Sequence, residues 1–222
     1  MEHVHARSSV HKLPALQRRR QIIEVAMKLF SKKGFEGTTT KEIARSAGVS
    51  EAIIFRHFTT KEELYEAIID FIIQRHSTRF YFELNEAMGQ RDDVLVFETL
   101  AYRILETHRE EPMLLRLLLF SGLEGHKLSQ LFMETQVQPV YRLMSSYISL
   151  RVKEKAFRKA ESMVLVRAFL DMVSHHSQIR VIYGDPFLRT GNRGIAREFA
   201  RIFLNGIRLT GKRTQRNKVR EK

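Results

Sequence analysis

The seven residues from Glu51 to His57 place a carboxylate, a guanidinium and an imidazole beside small apolar side chains. Such groups can hydrogen-bond base edges or phosphates and can contact thymine methyl groups. Ile54 and Phe58 lie four residues apart, so a helix over this segment would be held against a core along one stripe. The remaining side chains lie on its other faces: Glu51, Ala52, Ile53, Phe55, Arg56 and His57. A helix anchored on one side and exposed on the other is what contact with a DNA major groove requires.

A second short helix and a tight turn are predicted just before this segment. Thr39 and Glu42 have the spacing of a capping box, which predicts that the helix begins at Thr40. Gly48 is expected to end it, because glycine takes the left-handed conformation after a helix at little cost. Ser50 can then cap the following helix through its side chain. Two short capped helices joined at a glycine form a helix-turn-helix.

Three motifs follow one another within the stretch from Arg18 to Leu64, which is about a fifth of the chain: LFSKKGFEGTTTKEIARSAGVS, IFRHF and KEEL. In this order and spacing they resemble the DNA-binding domain of TetR-family transcriptional regulators. The resemblance implies that Thr40 and Lys41 lie against the DNA backbone or the groove edge, and that Ser50 joins the base-contacting surface. It also implies an all-α fold, with an N-terminal three-helix helix-turn-helix domain and a C-terminal helical domain for ligand binding and dimerisation.

The second helix of the motif departs from the commonest pattern of the family. Ala52 and Ile53 stand where many members carry Gly-Thr, and Phe55 stands where many carry Tyr. The missing hydroxyl groups remove two phosphate hydrogen bonds per subunit. The affinity for DNA is therefore expected to depend more on Lys41, on the other basic groups and on the basic arm that precedes the first helix.

The chemistry of each side chain suggests its role on DNA. Arg56 suits either a bidentate contact to guanine or a phosphate contact. Glu51 can accept a hydrogen bond from cytosine or can repel wrong registers, and the apolar pair at 52–53 suits thymine methyl groups. His57 and Lys61 suit phosphates, Lys61 because it lies at the positive end of a predicted helix.

The composition limits the class of protein. The chain has 222 residues, a formal net charge of +13 and no cysteine, which excludes disulfides and cysteine-ligated zinc. Residues 1–65 hold 12 Lys and Arg against 7 Asp and Glu, and residues 208–222 hold 7 against 1. Basic ends favour a polyanionic partner through counterion release. No secretory signal or membrane-spanning run is evident, so a soluble, cytoplasmic protein without a membrane partner is expected.

Helical periodicity predicts that the rest of the chain is all-α as well. Besides the two short helices, helices are predicted over residues 16–33, 61–86, 92–109, 112–123, 127–152, 157–183 and 192–209, about nine in total. Pro139 is expected to kink or split the helix in which it lies. The predicted organisation is a flexible basic arm (1–15), a helix-turn-helix domain (16–62), a helical effector-binding and dimerisation domain (63–209) and a basic disordered tail (210–222).

The last two long helices are predicted to form a homodimer interface. The run from Met163 to Val173 is apolar on every side except at Arg167 and Asp171, so it should be buried on more than one side. The helices over 157–183 and 192–209 would then contribute to a four-helix bundle between two subunits, as they do in TetR-like proteins. The alternative is a purely internal core. A twofold dimer implies a roughly palindromic operator in double-stranded DNA.

The resemblance further implies a repressor that is released by a small apolar or amphipathic effector. The effector would bind among helices 4 to 8 and act through helix 4. Candidate contacts come from the central apolar segments: Met113, Leu117, Phe120, Phe132, Met133, Tyr141, Met144, Arg167, Phe169 and Met172, with Phe80, Tyr81 and Phe82 nearby. Ordinary core packing is the alternative for each of them. Arg167 could instead pair with Asp171 or act across the dimer.

Two other regulatory modes are compatible with the sequence. One is a constitutive DNA-binding dimer with a filled core and no effector, and the other is an activator. The sequence contains no serine-hydrolase, metalloprotease, phosphate-loop or dinucleotide motif. His175 and His176 are adjacent and point in different directions, and His3, His5 and His11 have weak metal-ligand spacing. We therefore expect no catalytic residues, no metal and no cofactor.

Overall fold

The computed structural model describes residues 13–184 and 189–209, without the side chains at 69 and 72–79. Most of the predicted basic arm, including its three histidines, lies outside the described residues, as does the whole predicted tail over 210–222. The helix break predicted at residues 184–186 also lies largely outside them. Those predictions are not tested by the structure.

The described residues form an all-α protein, which confirms the predicted fold class. The helices are α1 (Ala15–Lys33), α2 (Thr40–Ala47), α3 (Glu51–His57), α4 (Lys61–Gly89), α5 (Asp93–Glu110), α6 (Pro112–Leu123), α7 (Lys127–Phe132), α8 (Gln138–Lys153), α9 (Ser162–Tyr183) and α10 (Asn192–Ile207). A π-helical segment over Met133–Val137 joins α7 to α8. None of the described helices combines the length and apolarity that are needed to span a bilayer.

The structure contains ten α-helices within the described ranges where about nine were predicted, because the predicted helix over 127–152 is divided. Pro139 has no N–H group to bond the carbonyl four residues earlier. The chain adapts by widening to a π-helical turn, in which the N–H of Gln138 donates to the carbonyl of Met133, five residues back. The predicted interruption at Pro139 is thereby confirmed, in the form of a π-helical segment within a continuous helical path.

The start of α9 differs from the prediction by five residues. Phe157 is not helical, because it forms an isolated antiparallel bridge with Arg208. The Arg158 N–H donates to the Ile207 carbonyl at 2.8 Å, and the Leu209 N–H donates to the Ala156 carbonyl at 3.1 Å. These tertiary hydrogen bonds, together with burial of the Phe157 ring, compete with helix formation in this stretch.

Two hydrophobic clusters organise the described chain. We call the first cluster and its helices the head: α1, α2, α3 and the first turns of α4, joined by Leu114, Leu117 and Leu128 from α6 and α7. The second cluster lies among the end of α4, α5, α8, α9 and α10. Helix α4 contributes side chains to both and so links them mechanically. The head cluster also contains residues beyond the predicted domain boundary between residues 62 and 63, namely Leu64, Tyr65 and Ile68. The position of that boundary remains a prediction.

Candidate nucleic-acid interface and ligand cavity

Local hydrogen bonds build the helix-turn-helix as predicted up to Gly48. Thr39 Oγ1 accepts from the Glu42 N–H at 3.2 Å, and Glu42 Oε2 accepts from the Thr39 N–H at 3.1 Å, so both halves of the capping box are present. Gly48 ends α2 in the left-handed conformation, with φ of 65°. Ser50 occupies the N-cap position of α3, but its side chain makes no capping hydrogen bond, so that part of the prediction was wrong.

The start of α3 is stabilised by Glu51 instead of the Ser50 hydroxyl. The Glu51 carboxylate lies in the first turn, where its negative charge interacts favourably with the positive end of the helix dipole. Its Oε1 atom also accepts a hydrogen bond from Thr40 Oγ1 at 2.6 Å. Two of the predicted DNA-contacting residues therefore bind each other and set the relative position of α2 and α3.

Helix α3 is anchored along one stripe and exposed along another. Ile54 and Phe58 are each 1% exposed, as the spacing predicted, whereas Phe55 is 48% exposed. Ala52, Arg56 and the Ser50 side chain are also exposed. Ile53 is half-buried against the head cluster, so less of it faces outward than the sequence suggested. His57 is half-buried as well.

Two arginines of α1 lie close to α3, and the sequence pattern did not predict a role for them. The Arg19 guanidinium lies 4.8 Å from the centre of the Phe58 ring. Burial, followed by the positive charges of Arg56, Arg19 and Arg18, lowers the pKa of His57 below its ordinary value. The His57 imidazole is therefore mainly neutral at neutral pH, and the positive charge beside α3 comes from the arginines. The basic run at 18–20 was the sequence signal for them.

The predicted phosphate-binding lysines have different surroundings. Lys41 is exposed on α2. Lys61 is half-buried, with its Nζ atom 4.0 Å from the centre of the Phe35 ring. This cation–π contact holds the Lys61 ammonium at the base of α4, and a phosphate would have to compete with it.

Phe35 is the centre of a contact between the head and the α6–α7 turn, which we call the joint (Phe35, Tyr65, Glu124 and His126). Glu124 Oε2 accepts a hydrogen bond from the Phe35 N–H at 3.0 Å. The His126 ring centre lies 4.4 Å from that of Phe35 and 4.7 Å from that of Tyr65. Gly34, with φ of 74°, allows this approach, because a Cβ atom there would collide with the Glu124 carboxylate.

A cavity of about 250 Å³ lies between the two hydrophobic clusters. Side chains from α4 to α9 line it: Phe80, Tyr81, Leu100, Arg103, Ile104, Thr107, His108, Leu114, Phe132, Gln136, Val137, Val140, Tyr141, Leu170 and Ser174. The predicted ligand residues Phe132 and Tyr141 are among them, as are the nearby aromatics Phe80 and Tyr81. The α5 residues of the wall were not among the predicted ligand contacts. Their positions, 100, 103, 104, 107 and 108, have the spacing of one face of a helix, which was the available sequence signal.

The other predicted ligand residues do not line this cavity. Leu117 is buried in the head cluster, and Met144 and Phe169 are buried in the second cluster. Met133 and Arg167 are exposed, and Arg167 pairs with Asp171 at 3.3 Å on the surface of α9. The half-buried residues Met113, Phe120 and Met172 also lie outside the cavity wall. Periodicity identified these side chains as inward-facing or apolar without showing which of them border empty space.

The polar groups of the cavity wall are mostly neutral. Burial lowers the pKa of His108 to about 4, so its imidazole is neutral at neutral pH. Its Nδ1 atom is buried without a hydrogen-bond partner among the described residues. Burial raises the pKa of Tyr81, and burial together with Asp171 raises that of Tyr141, so both phenols stay protonated. Arg103 is the cation of the described wall.

A family comparison identifies the protein from the same helices that form the candidate interface. The family described as bacterial regulatory proteins, tetR family, matches residues 22–68, from α1 to the first turns of α4. The chain belongs to the TetR family of transcriptional regulators. This is a family of regulators and not of enzymes.

Relatives of this TetR-family chain match it over part of their length. The uncharacterized HTH-type transcriptional regulator YvkB of Bacillus subtilis is 41% identical over 93 residues, which are 41% of this chain and 47% of YvkB. The chain spans about half to three quarters of the length of the curated relatives it matches.

Solved structures show that the TetR-type fold extends beyond the matched head. The ketosteroid transcriptional regulator KstR2 of Mycobacterium tuberculosis superposes with a TM-score of 0.61 at 15% identity, over 87% of this chain and 96% of KstR2. AibR, in a complex with isovaleryl coenzyme A and operator DNA, superposes with a TM-score of 0.63 at 19% identity, over 83% of this chain and 97% of AibR. At these identities the likeness concerns the fold of the TetR-family chain.

Proposed function

We propose that this TetR-family chain is a dimeric, sequence-specific DNA-binding repressor that is released when a small amphipathic molecule occupies the cavity. The observation that carries the proposal is α3, which is fixed to the head by two fully buried side chains and exposes Arg56 and Phe55 on the opposite face. Such a helix can enter a major groove without rearranging the head.

On DNA, the exposed groups of α3 contact bases and the surrounding basic groups contact phosphates. Arg56 binds guanine, and Ala52 contacts a thymine methyl group. Lys41 of α2, with Arg18 and Arg19 of α1, binds the backbone and sets the register of the helix in the groove. The bond from Thr40 to Glu51 holds α2 and α3 in the orientation that this arrangement needs.

The proposed dimer is supported by apolar side chains that α9 and α10 leave exposed in the single chain. They include Met163, Val164, Ile179, Ile182 and Tyr183 of α9, with Ile202 of α10 and Leu209 just beyond it. A monomeric protein rarely exposes so many large apolar side chains on neighbouring helices. Burial of this surface against a second copy would place two α3 helices on one operator, with half-sites about 34–36 Å apart or a multiple of that.

A charge on this surface is expected to separate the subunits. The variant Val164→Asp would bury two unpaired carboxylates in a twofold interface, so a predominantly monomeric protein is expected in sedimentation velocity. The matched control is Leu123→Asp, which places the same charge on an exposed leucine at the end of α6. A Val164→Asp protein that remains dimeric at the wild-type concentration would contradict the proposed interface.

The cavity can influence the head through α6 and α7 in addition to α4. Leu114 and Phe132 both line the cavity and pack in or against the head cluster. The C-terminal end of α6 leads into the joint, where the Glu124 carboxylate accepts a hydrogen bond from the Phe35 N–H. A ligand that displaces Leu114 or Phe132 would therefore move α6 and α7 relative to the head. It shifts the DNA-binding equilibrium only as far as it prefers one of the two arrangements.

Binding to the DNA upstream of its own gene tests the proposed function. The full-length protein is measured at fixed moderate salt with an excess of random competitor DNA, because the electrostatic part of binding varies steeply with salt. We expect a competitor-resistant complex that contains two copies of the chain. Binding that disappears with competitor on every genomic fragment tested would refute sequence-specific recognition.

A further inference from the structure

The described cavity wall carries one positive charge, that of Arg103 of α5, which is half-buried. Arg103 forms no hydrogen bond or close ion pair within the part of the chain that the structure describes. The nearby Glu106 is bonded to Arg109 and Asn192, and its pKa is lowered by these bonds and by the charges of Arg109 and Arg103. The described wall contains no aspartate or glutamate. A guanidinium in mainly apolar surroundings favours an anion strongly, because water screens the charge less there.

Two neutral aliphatic hydroxyl groups line the same cavity as Arg103. Thr107 follows Arg103 by one helical turn of α5, and Ser174 of α9 also lines the cavity. Their hydroxyl groups can donate hydrogen bonds to an oxyanion. The His108 imidazole is neutral and does not compete with Arg103 for a negative charge.

The rest of the cavity suits an apolar body. Leu100, Ile104, Val140 and Leu170 border it together with the Phe80 and Phe132 rings. The cavity volume is about 250 Å³. At about 30 Å³ per water molecule this is room for roughly eight water molecules, and therefore for a ligand of roughly eight to ten non-hydrogen atoms. This volume is slightly below the roughly 300–1,000 Å³ of ordinary ligand sites, which favours a small ligand.

We propose that the cavity binds an apolar carboxylate of about ten non-hydrogen atoms, with Arg103 as the bidentate partner of the carboxylate group. The planar guanidinium matches both carboxylate oxygens, and Thr107 and Ser174 complete the oxyanion contacts. The apolar chain lies toward Ile104 and Leu170. This inference rests on the proposed regulator function and names the chemical class of the molecule that would release the DNA.

Three probes with one eight-carbon chain test the charge preference. Octanoate, 1-octanol and octylammonium are titrated by calorimetry into the full-length protein without DNA. We expect octanoate to bind about ten- to a hundredfold more tightly than octanol, since a hydrogen bond to a charged group exceeds a neutral one by this order. Octylammonium is expected to bind more weakly than either. Equal affinities for octanoate and octanol, or no octanoate binding, would overturn the proposal.

Two variants separate the role of Arg103 from general effects. In Arg103→Gln, octanoate affinity is expected to fall to within about twofold of octanol affinity, while octanol binding stays unchanged. The control Arg142→Gln makes the same charge change on the exposed face of α8 and should bind all probes as the wild type does. If Arg103→Gln does not fold, Leu170→Phe fills the cavity and should reduce octanoate and octanol binding alike. Retained octanoate preference in Arg103→Gln, or unchanged octanoate binding in Leu170→Phe, would refute the assignment.

Failure of this proposal is distinguishable from failure of the proposed function. The probe titrations contain no DNA, and the operator assay contains no probe. A protein that binds its operator but not octanoate remains a DNA-binding regulator whose ligand has another chemistry. If both proposals are correct, octanoate should release operator DNA from the wild-type protein and should not release it from Arg103→Gln.

Discussion

Replacement of Arg56 by alanine is expected to weaken operator binding by about 30-fold to 10⁴-fold. A bidentate contact to guanine contributes about 1–3 kcal/mol of discrimination, and a symmetric dimer carries the contact twice. Arg56 is exposed on α3, and the carboxylate nearest in sequence, Glu51, is hydrogen-bonded to Thr40. The Arg56 guanidinium is therefore available to the groove. Fluorescence anisotropy with labelled operator, at one salt concentration, measures the change.

A second set of operators shows whether Arg56 contacts a base or a phosphate. With guanine contact, Arg56→Ala should lose the discrimination at one base pair of each half-site, while other positions keep theirs. A uniform loss across all sequences, with a smaller salt slope, would show a phosphate contact instead. The control Arg142→Gln removes an exposed arginine far along the chain on α8 and should leave operator affinity unchanged.

Replacement of Asp93 by alanine is expected to lower the free energy of unfolding by about 3 kcal/mol, because the buried Tyr147 hydroxyl loses its acceptor and Arg151 keeps only its ion pair with Glu154. The Asp93 carboxylate is 6% exposed. It accepts hydrogen bonds from Arg151 Nε at 2.8 Å, from Arg151 Nη2 at 3.0 Å and from the Tyr147 hydroxyl at 2.7 Å. Asp93 raises the pKa of Arg151, which agrees with a tight pair. Chemical denaturation at a fixed protein concentration measures the loss.

An exposed ion pair provides the control for Asp93. Glu24 bonds Arg20 at 2.9 Å on α1, and about half of each side chain is exposed. Water and salt screen such a pair, so Glu24→Ala should change the free energy of unfolding by about 0–1 kcal/mol. If the two variants lose the same small amount, the Asp93 network does not stabilise the packing of α5 against α8.

The sequence alone determined the helix-turn-helix, because its signals are local. The capping box of Thr39 and Glu42, the glycine at 48 and the stripe of Ile54 and Phe58 each involve residues within four positions of one another. Such signals can be read from the sequence without knowing which other segments pack against the helices. The break at Pro139 was predictable for the same reason, since a missing N–H affects only its own turn.

Only the tertiary structure decided which side chains border the cavity and which fill the cores. Tyr141 and Leu117 have similar apolar surroundings in the sequence, yet Tyr141 lines the cavity and Leu117 packs in the head. Arg103 lies on the cavity wall because six helices, α4 to α9, come together around the cavity, and helical periodicity does not contain that information. The bridge between Phe157 and Arg208 likewise joins residues 51 positions apart. Contacts between distant segments depend on how whole helices pack, whereas caps and glycine turns depend on their immediate neighbours.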